Sequence, residues 1–159
     1  MDEILLSVCC APCATVAIEE LSKEFEVTLH FWGNNLDTAQ EYQKRLNAVN
    51  QLAQSLGLTM IVEKYKPIQP EDCSQCFELR LSATAGLGFP YFATALTTSP
   101  HKDADVINTI GSRFDGYVAT NFKKNNGFTR SVELSKKQGL YRQNYCGCNR
   151  SLQDARLKQ

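Results

Sequence analysis

Short apolar runs alternate along this chain with longer stretches in which apolar residues return every three or four positions. This alternation predicts strands separated by helices. Glu3 to Val8 reads as a first strand, Ala14 to Glu24 has helical spacing through Val16, Ala17, Ile18 and Leu21, and Glu26 to Trp32 reads as a second strand. Thr38 to Leu56 is a long amphipathic helix with Tyr42, Leu46, Val49, Leu52 and Leu56 on one face and Gly57 as its stop. A third strand over Leu58 to Glu63, a helix over Cys76 to Ala85, a fourth strand over Tyr91 to Thr97 and a helix over Lys102 to Ser112 follow, and Ala119 marks a short final strand. Strand and helix in regular alternation predict a doubly wound α/β domain, a mainly parallel sheet with helices on both faces. A chain of 159 residues that is 43% hydrophobic buries one core, so residues 1–159 are expected to form a single domain.

The seven cysteines change the picture, because they fall into three short clusters: Cys9-Cys10-x-x-Cys13, Cys73-x-x-Cys76 and Cys146-x-Cys148. Thiols two or three residues apart are spaced so that one turn can aim several sulfurs at a common centre, and distant pairs can complete it. The first cluster follows the first strand, at the carboxyl edge of the sheet where open α/β folds build their sites, and it faces a helix N-terminus that favours thiolates. Cys9, Cys10, Cys73 and Cys76 are candidate ligands of a zinc ion or of an iron–sulfur cluster, and adjacent cysteines suit the separate corners of a cluster better than one small ion. Cys146-Gly147-Cys148 closes too small a loop for an unstrained disulfide, which marks a reducible pair; two further zinc-type ligands or two inert thiols are the other readings. Thr97 to His101 ends another strand at the same edge, making His101 a candidate proton donor. An odd number of closely spaced cysteines, no apolar run of membrane-spanning length and no secretion signal lead to an expected cytoplasmic location with no membrane partner.

A formal net charge of zero hides an asymmetry. Residues 1–100 carry 6 basic and 12 acidic side chains, whereas residues 101–159 carry 11 basic and 5 acidic. The basic part interleaves Lys123, Lys124, Arg130, Lys136, Lys137, Arg142, Arg150 and Arg156 with Phe122, Phe128, Tyr141 and Tyr145, a mixture suited to phosphate contact and base stacking.

Five ordered segments carry a family resemblance: Cys9-Cys10-Ala11-Pro12-Cys13, the run from Cys73 to Leu81, Thr97-Thr98-Ser99-Pro100-His101-Lys102, Asn121-Phe122-Lys123-Lys124, and the run from Gly139 to Cys148. With these the chain resembles the iron–sulfur epoxyqueuosine reductases of the QueH type over nearly its whole length. The resemblance implies an oxidoreductase that reduces epoxyqueuosine to queuosine at the wobble position (34) of tRNAs with a GUN anticodon, the final step of queuosine biosynthesis. It implies an adenine-nucleotide-hydrolase-like (HUP-type) version of the doubly wound sheet. It also implies a [4Fe-4S] cluster on Cys9, Cys10, Cys73 and Cys76, a redox-active Cys146/Cys148 pair, an external electron donor, and work for Cys13 if one additional iron sits beside the cluster. The basic part, about 101–159, becomes the tRNA-facing surface, with Lys123, Lys124, Arg130 and Arg142 as the expected contacts.

The chain departs from the family pattern in being shorter before Cys73, where Tyr65-Lys66-Pro67-Ile68-Gln69-Pro70 replaces a longer connection. Cysteines also occupy the place where relatives of this fold carry a glycine-rich loop for ATP pyrophosphate, so nucleotide activation is not expected. The rival readings are a zinc-binding RNA module, which would be redox-silent, and a thiol–disulfide oxidoreductase, which would work on Cys146 and Cys148 without metal. A tRNA-thiolating enzyme would need the missing ATP loop.

Overall fold

The computed structural model describes residues 1–143, 145–148 and 153. Asn144, Arg150 and Arg156, named above in motifs or as basic positions, lie outside them. Four strands, β1 (Asp2–Val8), β2 (Phe25–Phe31), β3 (Met60–Val62) and β4 (Tyr91–Thr94), form one sheet in the order β3-β2-β1-β4, and every pairing is parallel. Among the described residues five α-helices, α1 (Ala11–Leu21), α2 (Ala39–Leu56), α3 (Cys73–Ala85), α4 (Ala104–Gly111) and α5 (Gly127–Gln138), cover it.

β1 shows why the sheet needs cover on both sides. Ile4, Leu6 and Val8 face a core shared with α1, α2 and β2, while Leu5 points the other way into a second core with Phe77 and Leu81 of α3 and Ile107 and Ile110 of α4. Ser7, on the same face as Leu5, is buried as well, and a strand whose side chains are buried on both faces needs cover on both sides of its sheet. The architecture is thus a doubly wound α/β domain. Among the described residues no helix is long and apolar enough to cross a membrane.

Local differences from the expected elements have identifiable causes. α3 begins at Cys73, three residues before the expected Cys76, because the Asp72 side chain accepts a hydrogen bond from the Gln75 N–H at 2.8 Å and caps the helix. α1 begins at Ala11 and not Ala14, with Pro12 in the first turn, where it needs no N–H donor, and it ends at Leu21. β4 stops at Thr94, whose hydroxyl accepts from Leu96 N at 3.2 Å and starts the 3-10 turn Ala95–Thr98. The short strand expected at Ala119 does not form; a single parallel bridge joins Phe92 to Tyr117 beside β4. α5 was not foreseen: it buries Gly127, Ser131 and Ser135, one small residue per turn, against α1, so it lacks the apolar stripe that betrays a helix. Gly57 does end α2, in the left-handed conformation at φ 67°.

One buried titratable group sits in the frame. His30 on β2 is fully buried, with Nδ1 2.9 Å from Thr84 Oγ1 and Nε2 3.5 Å from Glu63 Oε1. Burial outweighs the attraction of Glu63 and holds its pKa below the ordinary histidine value. The unfolded chain therefore binds a proton that the folded one refuses, and stability falls as pH drops below about 6.5. His30→Gln is expected to flatten that acid limb, so thermal midpoints at pH 5 and pH 7.5 should lie closer together in the variant than in the parent.

Candidate active site

β1 and β4 lie side by side where the strand order reverses, and the loops that follow them leave the same edge. Ligands of open α/β sheets bind at such a point. The loop after β1 is Cys9-Cys10, and Cys10 is the N-cap of α1 with no side-chain cap bond, while Cys13 lies in the first turn of the helix. The loop after β4 is tied to it by Thr98 Oγ1, which donates to the Cys13 carbonyl at 2.9 Å.

Three distant segments bring sulfurs to this edge. Cys9 is buried, and Cys10 and Cys13 are half-buried. Interaction with the Cys10 thiol, reinforced by burial, holds the Cys9 thiol well above its ordinary pKa, and interaction with the Cys13 thiol pushes Cys10 up to about 12. α3 supplies Cys73, exposed, and Cys76, half-buried, one turn apart; burial raises the Cys76 thiol. The third segment is the turn Tyr145–Cys148. Cys73, Cys76, Cys146 and Cys148 line one cleft of about 630 Å³, with Arg80 and Lys102 as its cations.

Cys146 differs from the other thiols. Its hydrogen bond with Cys148, followed by the charges of Lys102 and Arg80, holds it well below the ordinary thiol range despite burial. Burial alone would lower Lys102, but the sulfurs of Cys146 and Cys73 keep its ammonium above its usual pKa. Lys102 also lies over the Phe77 ring, 5.6 Å from the centroid.

The Cys146 turn is fixed from beneath. Arg45 of α2, 3% exposed, donates from Nη1 to the Cys146 carbonyl at 2.6 Å, from Nη2 to the Tyr145 carbonyl at 3.0 Å, and from Nε to Glu41 Oε1 at 2.8 Å. Tyr141 donates its hydroxyl to Glu41 Oε2 at 2.8 Å, and Asp37 N–H donates to the Gly147 carbonyl at 2.8 Å. Gly147 has φ 111°, and a Cβ there would collide with Leu36 Cδ2 and lie 2.9 Å from Arg45 Nη1. Only glycine combines that backbone with that approach.

Two of the three sequence clusters thus share one cleft, while Cys9, Cys10 and Cys13, in the loop after β1 and the start of α1, are not part of its lining, and among the described residues no three His, Cys, Asp or Glu side chains already stand as a metal-holding group. His101 is exposed, its N–H 3.3 Å from Ser99 Oγ, and the neighbouring Lys102 is the side chain that enters the cleft. Of the expected phosphate contacts, Lys124 and Arg142 are exposed. Lys123 is half-buried, donates to the Thr97 carbonyl at 3.2 Å, and has its pKa lowered chiefly by burial. Arg130 is ion-paired with Glu19 and lies 3.6 Å from Glu20, both on α1. Sequence reasoning passed over Arg45, Arg80 and Asn35. The available signal was a charged residue at an apolar position: Arg45 stands four residues after Glu41 and four before Val49 on α2, and Arg80 precedes buried Leu81 on α3.

Fold and site define a class: a doubly wound α/β domain with a cysteine-lined cleft and a further cysteine cluster in the loop after β1. A family model described as "Epoxyqueuosine reductase QueH" matches residues 4–154. A Streptococcus pyogenes serotype M1 protein of that name is 36% identical over 174 aligned positions, spanning 91% of this chain and 68% of the relative. Proteins of the same name from Staphylococcus epidermidis (34% identical, 92% of this chain, 74% of the relative) and Thermotoga maritima (30% identical, 99% of this chain, 94% of the relative) are also similar. This chain belongs to the epoxyqueuosine reductase QueH family, and is by that membership an oxidoreductase. The Thermotoga alignment runs over 184 positions against 159 residues here, so at least 25 positions of that relative have no counterpart, in keeping with a shortened chain.

Proposed function

We propose that this chain reduces the epoxide of epoxyqueuosine to the alkene of queuosine at position 34 of GUN-anticodon tRNAs, in the cytoplasm. The observation that carries the site assignment is the cleft that Cys73, Cys76, Cys146 and Cys148 share with Arg80 and Lys102, with Cys9 close enough for its charge to act on Cys76. Arg80 is 1% exposed and its Nε has no hydrogen-bond partner, and among the described residues no carboxylate pairs with it, while its charge acts on Cys9, Cys76 and Cys146. A buried guanidinium without a carboxylate favours anionic sulfur next to it, and thiolates are the donors that iron–sulfur clusters take. These residues fit the implied group: Cys9, Cys10, Cys73 and Cys76 would hold a [4Fe-4S] cluster, and Cys13 would be left for one additional iron. When bound, the cluster supplies electrons one at a time at low potential.

The remaining groups divide the work. Removing the epoxide oxygen as water takes two electrons and two protons. The Cys146/Cys148 dithiol releases that number of each when it closes to a disulfide, and an external electron donor must reopen it. Lys102 lines the cleft as a cation and can hold the negative charge that develops on the departing oxygen. His101, exposed on the same loop, is assigned as the acid that delivers a proton from the solvent side. Exposed Lys124 and Arg142 suit phosphates, and half-buried Tyr141, next to Arg142 in sequence, suits a splayed base of an anticodon loop.

The test is direct. Protein purified without oxygen is analysed for iron, zinc and sulfide and incubated with tRNA bearing epoxyqueuosine and a chemical reductant, and the nucleosides are separated by mass. About four iron and four sulfide per chain, with conversion to queuosine, is the expected result. Zinc without sulfide, or unconverted epoxyqueuosine at full iron content, overturns the proposal.

A further inference from the structure

A line of hydrogen bonds runs from the core to one sulfur. The Arg80 guanidinium lies over the Trp32 ring, 4.6 Å from its centroid, and Nη1 donates to the Trp32 carbonyl at 2.9 Å. Nη2 donates to Asn35 Oδ1 at 2.9 Å. A guanidinium has donors only, so the oxygen of the Asn35 amide must face Arg80 and its nitrogen must face away. There Asn35 Nδ2 meets Cys146 Sγ at 3.7 Å. Asn35 is 3% exposed, so this orientation is set by the protein and not by water. The Arg45 bonds to the Tyr145 and Cys146 carbonyls hold the sulfur in front of the amide.

We propose that Asn35, locked by Arg80, is a positioning residue that aims a donor at Cys146 and so, together with Lys102 and Arg80, makes it the nucleophilic thiol of the Cys146/Cys148 pair. The proposal rests on the reading that this pair cycles between dithiol and disulfide. A donor aimed at sulfur stabilises the thiolate and with it the reduced form of the pair. In exchange with glutathione disulfide, Cys146 attacks one sulfur of the reagent, whose S–S bond breaks and releases one glutathione thiolate. Cys148 then displaces the second glutathione as the Cys146–Cys148 bond forms. The dithiol gives up two electrons and two protons, and one glutathione disulfide becomes two glutathiones.

Asn35→Asp is the informative variant, because it keeps an acceptor for Arg80 and replaces the donor facing Cys146 with a second oxygen. The full chain, purified without oxygen, is pulsed with iodoacetamide at neutral pH, and labelling of each cysteine is mapped by peptide mass. Cys146 is expected to label before Cys148 in the parent, and to slow roughly tenfold in the variant, with Cys148 unchanged. The equilibrium with glutathione should move toward the disulfide by a similar factor, a shift that a merely structural role would not produce. If Asn35→Asp does not fold, Arg80→Lys, which keeps the charge but not the fork, should slow Cys146 about threefold. Cys146 labelling within twofold of the parent in a folded variant, or Cys148 labelling first in the parent, overturns the assignment of Asn35. A separate failure is distinguishable: if the parent forms no Cys146–Cys148 disulfide at any glutathione ratio, the dithiol reading falls, and the proposal falls with it.

Discussion

Arg45→Met is expected to abolish turnover and to lower folding stability by about 3–5 kcal/mol. Arg45 is buried on α2, and among the described residues its guanidinium is the group that joins Glu41 to the Tyr145 and Cys146 carbonyls. Methionine keeps most of the volume and removes every donor. Among the described residues Glu41, 7% exposed, would then keep the Tyr141 hydroxyl as a donor, too little to compensate a buried charge. Two carbonyls of the Cys146 turn would lose their partners as well, and each unsatisfied buried acceptor costs about 1–3 kcal/mol. Among the described residues these bonds tie the turn to the body of the protein together with Asp37 N–H and the Asn35 amide, so without them Cys146 and Cys148 should leave the cleft before the sheet melts. Urea unfolding gives the stability, and single-turnover conversion of epoxyqueuosine in tRNA gives the activity. Arg45→Lys supplies the comparison: it keeps the charge for Glu41 but cannot reach both carbonyls, so most of the stability and little of the activity should return. An Arg45→Met protein with parental turnover would show that the turn is positioned by something else.

The second large effect separates the cysteines into two groups. Serine at Cys9, Cys10, Cys73 or Cys76 is expected to remove most of the iron and its visible absorption, because each proposed ligand contributes one corner and serine is a poor soft donor. Cys146→Ser/Cys148→Ser is expected to keep iron and absorption at parental levels and to lose at least tenfold in steady-state rate, since a thiol must be a thiolate to exchange and serine cannot follow. Cys13→Ser should lower iron by no more than the one additional atom assigned to it. Iron and sulfide content with an absorption spectrum settles the first group, and turnover under excess reductant the second. Full iron in Cys76→Ser would exclude Cys76 as a ligand, and an unchanged rate in the double variant would remove the dithiol from the reaction.

Much of this protein is legible along the chain because the governing signals are local. Strand β1 announces itself through Ile4, Leu5 and Leu6, α2 through its apolar stripe and Gly57, and the three cysteine clusters through their spacing. Where the local signal is weak, the reading slips. α5 packs a glycine and two serines against α1, and small polar residues carry no hydrophobic period. The expected strand at Ala119 reduces to one bridge at Tyr117, because pairing beside β4 depends on Gly116 and Val118 meeting Phe92, a contact between segments far apart in sequence.

Sequence alone determined the strand–helix alternation, the membership of each cysteine in a cluster, and the basic bias of residues 101–159. Each follows from residues within a turn or two of one another, or from composition. Tertiary structure decided what the clusters face. Parallel crossovers bring the loops after β1 and β4 together at one edge, α3 adds Cys73 and Cys76, and Arg45, 100 residues before Tyr145, seats the last pair. It also decided which cations belong to the site, since Arg45, Arg80 and Lys102 turn inward while Arg130 spends its charge on Glu19. A charge costs little in water and several kcal/mol when buried, so a basic residue's role depends on where the fold places it, and that placement is a property of contacts the linear pattern does not contain.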